Sequence, residues 1–115
     1  MNTAIVMLGG AIGAAGRYHL GGLFVRGFPG GTLTVNLIGS FLIAIVAARL
    51  AAGDPWRLFL AVGVLGGFTT FSAFTLETVE MIDSGRLLPA IGYVLASVAG
   101  GLLAFAIGSL LARPA

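Results

Sequence analysis

Long uncharged apolar segments, separated by short polar turns, dominate this chain. No charged residue occurs from Thr32 to Ala48, from Leu58 to Leu76 or from Leu87 to Ala112. A helix of about 20 apolar residues spans the hydrocarbon core of a bilayer. Each of these segments therefore predicts one membrane-spanning helix.

A fourth apolar segment begins the chain and is the least regular of the set. Arg17, Tyr18 and His19 interrupt it, and we expect this polar cluster to lie near one membrane interface. Turns rich in glycine and proline separate the segments. The sequence thus predicts an all-α membrane protein with one domain, residues 1–115, and four transmembrane helices at about residues 3–25, 32–51, 57–82 and 87–112.

The composition supports a membrane protein and argues against several other classes. Of the 115 residues, 58% are hydrophobic and 9% are charged, and the mean hydropathy is +1.09. These values indicate that a lipid bilayer surrounds the chain. The basic residues are scattered arginines, which is typical of interfacial anchors, and we predict no nucleic-acid partner. Neither a catalytic triad nor a phosphate loop is visible, so we do not predict an enzyme.

The third predicted helix contains a segment that is poorly suited to a helix interior. Residues Gly66–Phe74 read GGFTTFSAF, with two glycines followed by two β-branched threonines. In lipid, a broken helix persists only where its freed backbone groups face protein, water or an ion. We therefore predict that the third helix breaks at mid-membrane and forms a site. The alternative is a glycine kink at a close helix contact.

Uncharged side chains around this break are suited to an anion. Phe71 and Phe74 are three residues apart on one face, and the edge of a phenyl ring carries partial positive charge. Ser72 and Asn36 supply hydrogen-bond donors, and Asn36 shares a helix face with Thr32. The alternative for the rings is packing against lipid or a neighbouring helix. For Asn36 it is hydrogen bonding between helices.

One backbone segment and three side chains have further predicted roles. Carbonyl oxygens freed between Gly66 and Thr70 are ligands that a hard cation such as sodium accepts. Ser97 gives the fourth helix one uncharged donor. Arg17 is predicted to anchor its helix at an interface, and Glu77 is either a helix-end acid or part of an ion entrance.

The arginines divide almost evenly between the two sides of the predicted bundle. The side of the termini has Arg49, Arg57 and Arg113, whereas the other side has Arg26 and Arg86, with Arg17 near it. The positive-inside rule needs an excess on one side to orient a chain. This chain can therefore insert in both orientations, and two opposite copies can pair as an antiparallel homodimer about an axis in the membrane plane.

The chain contains three distinctive blocks of sequence, which are GG..GA..RY at residues 9–18, GTLTVNLIGSF at residues 31–41 and GGFTTFSAF at residues 66–74. These blocks resemble those of the small bacterial fluoride channels called Fluc or CrcB. The second and third blocks, in this order and in so short a chain, are specific, and the resemblance covers nearly the whole chain.

The resemblance implies a passive fluoride-selective channel that exports fluoride across the bacterial inner membrane and relieves fluoride toxicity. It implies an antiparallel dual-topology homodimer with a central sodium ion, held by the backbone carbonyls of Gly66 and Thr69. By this resemblance and the reasoning above, we predict a fluoride pathway of Thr32, Asn36, Thr70, Phe71, Ser72, Phe74 and Ser97, with Arg17 and Glu77 near the vestibules.

Two positions depart from the family pattern. Ala73 stands where many relatives have threonine or serine. Gly101 is a second candidate, at a place where relatives have a polar residue in the fourth helix. Two other functional classes remain as alternatives. One is a small dual-topology, proton-coupled exporter of cationic compounds, which the absence of a carboxylate in the first helix argues against. The other is a non-transporting assembly subunit.

Overall fold

The computed structural model describes residues 2–22 and 27–113, and the long elements in these ranges are all helices. Two long helices precede the third apolar segment and one follows it. They are α1 (Asn2–Gly21), α2 (Gly30–Arg49) and α6 (Leu87–Ala112), and the third segment contains α3 (Pro55–Arg57), α4 (Gly66–Phe68) and α5 (Phe71–Asp83).

The third apolar segment changes its helical geometry twice. After α3, residues Leu58–Leu65 form a π-helical segment, which we call π1, and α4 follows it directly. Thr69 and Thr70 then separate α4 from α5. The whole stretch Pro55–Asp83 has 29 residues and the length and hydropathy of a membrane span.

Three helical stretches in the described part of the chain are long and apolar enough to cross a membrane: Gly30–Arg49, Pro55–Asp83 and Leu87–Ala112. Helix α1 is not among them because Arg17 and its polar neighbours lower its hydropathy. It ends at Gly21, whereas the sequence predicted a helix to Val25, a position that lies outside the described residues.

The turns are closed by side chains that bond to the backbone. Asp54 caps α3 by accepting a hydrogen bond of 2.9 Å from the Trp56 amide, and Pro55 occupies the first turn. The Arg57 guanidinium donates to the Leu50 carbonyl at 3.0 Å. These bonds satisfy backbone groups that a helix end otherwise leaves unpaired.

Glycines allow α1 to pack closely on the third segment. A Cβ atom added at Gly9 would lie 2.6 Å from the Phe59 carbonyl oxygen, and one added at Gly13 would overlap the Val64 carbonyl oxygen. Gly67 lies equally close to α1, since its Cβ would be 2.6 Å from the Gly10 carbonyl oxygen. Small residues of this kind let membrane helices approach each other closely.

Helices α2 and α6 form the second main contact of the fold. Val35 and Ala44 of α2 are buried, and Gly108 of α6 lies against the Phe41 carbonyl. The chain is flat, with extents of 47 × 33 × 17 Å, so its thinnest dimension is less than two helix diameters of about 10–12 Å each. Broad apolar faces therefore remain open to lipid or to another protein surface.

Candidate ion site

The backbone leaves helical geometry at two threonines. Thr69 has φ −84° and ψ 155°, and Thr70 has φ −149° and ψ 122°, so both residues are extended. The sequence placed the non-helical turn across Gly66–Thr70, but Gly66 is helical, with φ −63° and ψ −39°. Gly67 is also helical. Its lack of a side chain allows the close contact with α1.

Asn36 pairs with both backbone groups of Thr70. Its Oδ1 accepts a hydrogen bond from the Thr70 amide at 2.9 Å, and its Nδ2 donates to the Thr70 carbonyl at 3.1 Å. An unpaired buried backbone group costs about 1–3 kcal/mol. One amide side chain from α2 therefore replaces the two hydrogen bonds that an extended residue loses when it leaves a helix.

Thr69 and Thr70 form an interruption of the third segment, and three other contacts hold its two ends. Arg17 of α1 donates from Nε to the Gly67 carbonyl at 3.2 Å, and the Thr69 hydroxyl donates to the Leu65 carbonyl at 2.9 Å. The Thr70 hydroxyl accepts from the Ala73 amide at 3.1 Å and thereby caps α5. Arg17 thus contacts α4, just before the two threonines, and its predicted place near a vestibule stays a prediction.

Because of these contacts, two backbone amides donate to side-chain oxygens instead of to the carbonyls that they would bond in a helix. In a regular α-helix the amide of residue i+4 bonds to the carbonyl of residue i. The Thr70 amide, which would pair with Gly66, donates to Asn36, and the Ala73 amide, which would pair with Thr69, donates to Thr70. The carbonyl oxygens of Gly66 and Thr69 therefore lose their usual i+4 donors.

A pocket of about 400 Å³ opens beside the interruption, between α2, α5 and α6. It brings together many of the residues singled out in the sequence, although their role in ion binding stays a prediction. The lining is entirely uncharged and consists of Asn36, Gly39, Ser40, Ile43, Leu65, Gly66, Thr69, Thr70, Phe71, Phe74, Ser97 and Val98.

The two phenyl rings of α5 differ in their surroundings. Their centroids are 5.6 Å apart, and both rings line the pocket. Phe71 is 78% exposed, whereas Phe74 is partly buried and packs on the buried Tyr93 ring at 5.1 Å. Phe71 therefore has little packing role within this chain, and Phe74 also contributes to the packing of α5 on α6.

A second polar group lies outside the pocket lining. The Glu77 carboxylate accepts a hydrogen bond from the Thr32 hydroxyl at 3.1 Å and from the Tyr93 hydroxyl at 3.2 Å. Thr32 and Tyr93 are buried. From the sequence we predicted roles for Thr32 and Glu77 but none for Tyr93. A tyrosine within an otherwise apolar span is the signal that would have indicated it, because its hydroxyl needs a partner there.

The serines of the predicted pathway have different partners. Ser97 lines the pocket, and its buried hydroxyl has no hydrogen-bond partner in the described part of the chain. Ser72 does not line the pocket, but its hydroxyl lies 3.2 Å from the Thr70 hydroxyl. A buried polar atom without a partner is costly, which makes Ser97 a donor that a guest in the pocket can use.

The fold and this pocket define a small, multi-pass helical membrane protein with an uncharged polar site. A sequence model of the family described as CrcB-like protein, Camphor Resistance (CrcB), matches residues 4–109. The chain therefore belongs to the CrcB family, as its sequence blocks suggested.

Several relatives match nearly the full length of the chain, and each is named Fluoride-specific ion channel FluC. The relative from Chloroflexus aurantiacus is 44% identical, with 97% of this chain and 95% of the relative covered. The one from Agrobacterium fabrum is 46% identical, with 98% and 97% covered. The one from Chelativorans sp. is 48% identical, with 95% and 94% covered.

Replacing Asn36 tests whether its side chain holds the interruption. Asn36→Ala leaves the Thr70 amide and carbonyl unpaired, and at about 1–3 kcal/mol for each group we expect a loss of about 2–6 kcal/mol of stability. Hydrogen exchange at the Thr70 amide, measured by mass spectrometry in detergent, should become faster. Thr34→Ala, an exposed hydroxyl deletion on another face of α2, is the matched control. Equal Thr70 exchange in both variants would refute this role of Asn36.

Proposed function

We propose that this chain forms a passive, fluoride-selective channel in the bacterial inner membrane. The observation that carries this function is the similarity of 44–48% over nearly the whole chain to proteins named as fluoride-specific ion channels. Fluoride enters cells from acidic surroundings as neutral hydrogen fluoride and is trapped inside as the anion. A pore lets the anion leave down its electrochemical gradient and so relieves toxicity.

The pocket chemistry supports conduction of an anion by neutral groups. The rings of Phe71 and Phe74 offer positively polarised edges, and the free Ser97 hydroxyl offers a donor. Neutral donors stabilise an anion without holding it as tightly as a buried cation would, so the ion can also leave. We take Thr32, Asn36, Thr70, Phe71, Ser72, Phe74 and Ser97 as the fluoride pathway.

A passive channel fits this chain better than a proton-coupled exporter of cations. The first carboxylate in the sequence is Asp54, so α1 lacks an acidic group for proton coupling. Of the three carboxylates in the third span, which cluster at its end, Glu77 is paired with the hydroxyls of Thr32 and Tyr93. We assign Glu77 and Arg17 to the approaches of the pathway.

We also propose that a sodium ion binds at the Gly66 and Thr69 carbonyls, at the centre of a homodimer. The diversion of their helical donors to Asn36 and Thr70 supports this site, because freed carbonyl oxygens suit a hard cation. Sodium would supply positive charge at the interruption and cross-link the two copies. We place the interruption at mid-membrane, where only such partners make it tolerable.

We propose that each copy has four spans and that the two copies of the homodimer are antiparallel, with dual topology. The balanced arginines permit both orientations, and α1 counts as the fourth span because Arg17 bonds within the protein rather than facing lipid. The flat shape of one copy and the 78% exposure of Phe71 leave the pocket side open for a second copy. Lipid surrounds the remaining apolar faces.

Fluoride efflux from liposomes tests the function. Purified protein in vesicles loaded with fluoride should release it within seconds of adding an ionophore that balances charge, read with a fluoride electrode. Vesicles loaded with chloride should release at least about a hundredfold more slowly, a difference of roughly 3 kcal/mol in barrier. Protein-free vesicles are the control. Chloride release at a rate similar to that of fluoride would contradict selectivity.

Removing one phenyl ring tests the role of the ring edges. Phe71→Ala should slow fluoride efflux by about tenfold or more, since the lost edge no longer stabilises the ion. Because Phe71 is 78% exposed within one copy, folding should be little affected. Phe105→Ala, which removes an exposed ring from α6, is the matched control and should leave efflux unchanged. Normal fluoride efflux in both Phe71→Ala and Phe74→Ala would contradict a role of the ring edges in conduction.

Removing sodium tests the cation site and the dimer together. Protein purified with N-methylglucamine in place of sodium should melt at a lower temperature and contain more monomer on size exclusion. Sodium added back should restore both, because a ligand bound only to the assembled state stabilises it by mass action. Melting temperature and assembly that do not depend on sodium would contradict the proposed site.

A further inference from the structure

Ser40 extends the polar stripe of α2 by one turn. Thr32, Asn36 and Ser40 are spaced four residues apart, so they lie on one face of the helix. The sequence predicted roles for only the first two of these residues. Ser40 lines the pocket together with Asn36, and neither the proposed pathway nor the cation site uses its hydroxyl.

Gly101 of α6 leaves room for the Ser40 side chain. A Cβ atom added at Gly101 would lie 3.5 Å from the Ser40 hydroxyl oxygen, an ordinary van der Waals contact. The Ser40 hydroxyl therefore points towards α6, into the space where a larger residue at position 101 would carry its own side chain. At this place α2 supplies the Ser40 hydroxyl, whereas Gly101 of α6 has no side chain.

Most other donors of the pocket are already committed to the protein. The Asn36 amide pairs with the backbone of Thr70. The Thr70 hydroxyl caps α5 and is also within hydrogen-bond distance of Ser72. Within the described residues, no hydrogen bond occupies the hydroxyls of Ser40 or Ser97, so these two are the free side-chain hydroxyls of the pocket.

We propose that Ser40 is a further anion-binding residue, which donates its hydroxyl hydrogen to a dehydrated fluoride ion as the ion passes between α2 and α6. A small anion that loses its water needs a replacement donor at each step along a pore. Ser40 lies one helical turn beyond Asn36 and would provide such a step. This role rests on the proposed fluoride conduction.

Moving the hydroxyl from α2 to α6 tests the role of Ser40. Ser40→Ala should slow fluoride efflux from liposomes by about tenfold, the effect expected for one hydrogen bond to a charged group. Adding Gly101→Ser to Ser40→Ala should restore most of the efflux, because position 101 accepts a Cβ and brings a hydroxyl to the same space. Adding Gly101→Ala instead should not. Ser40→Thr keeps a hydroxyl on α2 and should stay active.

Controls separate this inference from the proposed function. Unaltered protein and Thr34→Ala are assayed beside the variants, and size exclusion checks that each variant assembles. If these two proteins pass fluoride and Ser40→Ala matches them, the role of Ser40 is wrong but the channel function stands. Slow efflux that Gly101→Ser fails to restore, with Ser40→Thr equally slow, also overturns a donor role. If the unaltered protein passes no fluoride, the proposed function fails and the role of Ser40 fails with it.

Discussion

The pairing of Asn36 with both backbone groups of Thr70 is the constraint on which the rest of the structure depends. Lipid offers no hydrogen-bond partner to an interrupted helix, so protein, water or an ion must provide the missing partners. Asn36 provides two partners from α2, and Arg17 provides one from α1. Without these three partners, a continuous helix would be the conformation of lowest free energy at Thr69 and Thr70.

The interruption has two chemical consequences that follow from hydrogen-bond geometry. Donors that move to Asn36 and to the Thr70 hydroxyl free the carbonyls of Gly66 and Thr69, which are the ligands of the proposed cation. The start of a new helix at Phe71 places Phe71 and Phe74 on its first turn, beside the same pocket. Partial charges of opposite sign thus arise within a few residues of each other, with no formal charge in the pocket lining.

The sequence predicted four spans, and three stretches of the described residues have the length and hydropathy of a span, because bilayer thickness dictates both. It located the interruption of the third span less well. The predicted break covered Gly66–Thr70, but only Thr69 and Thr70 are extended. Gly66 and Gly67 stay helical, and Gly67 serves the contact with α1. The partners of Arg17 and Tyr93 lie 50 and 16 residues away along the chain, and such pairings depend on tertiary packing that no local pattern contains. The uncharged pocket was foreseeable from its residue types. The use of Asn36 as a backbone partner was not.

Solid-state NMR of threonine-labelled protein in lipid bilayers tests the central claim most directly. Carbon-13 shifts of the Cα and Cβ atoms distinguish extended from helical residues. Those of Thr69 and Thr70 should be extended, and the Asn36 side-chain nitrogen should correlate with the Thr70 carbonyl carbon. Helical shifts at both threonines, with no Asn36 correlation, would mean that the third span is continuous and that the ion site described above does not exist.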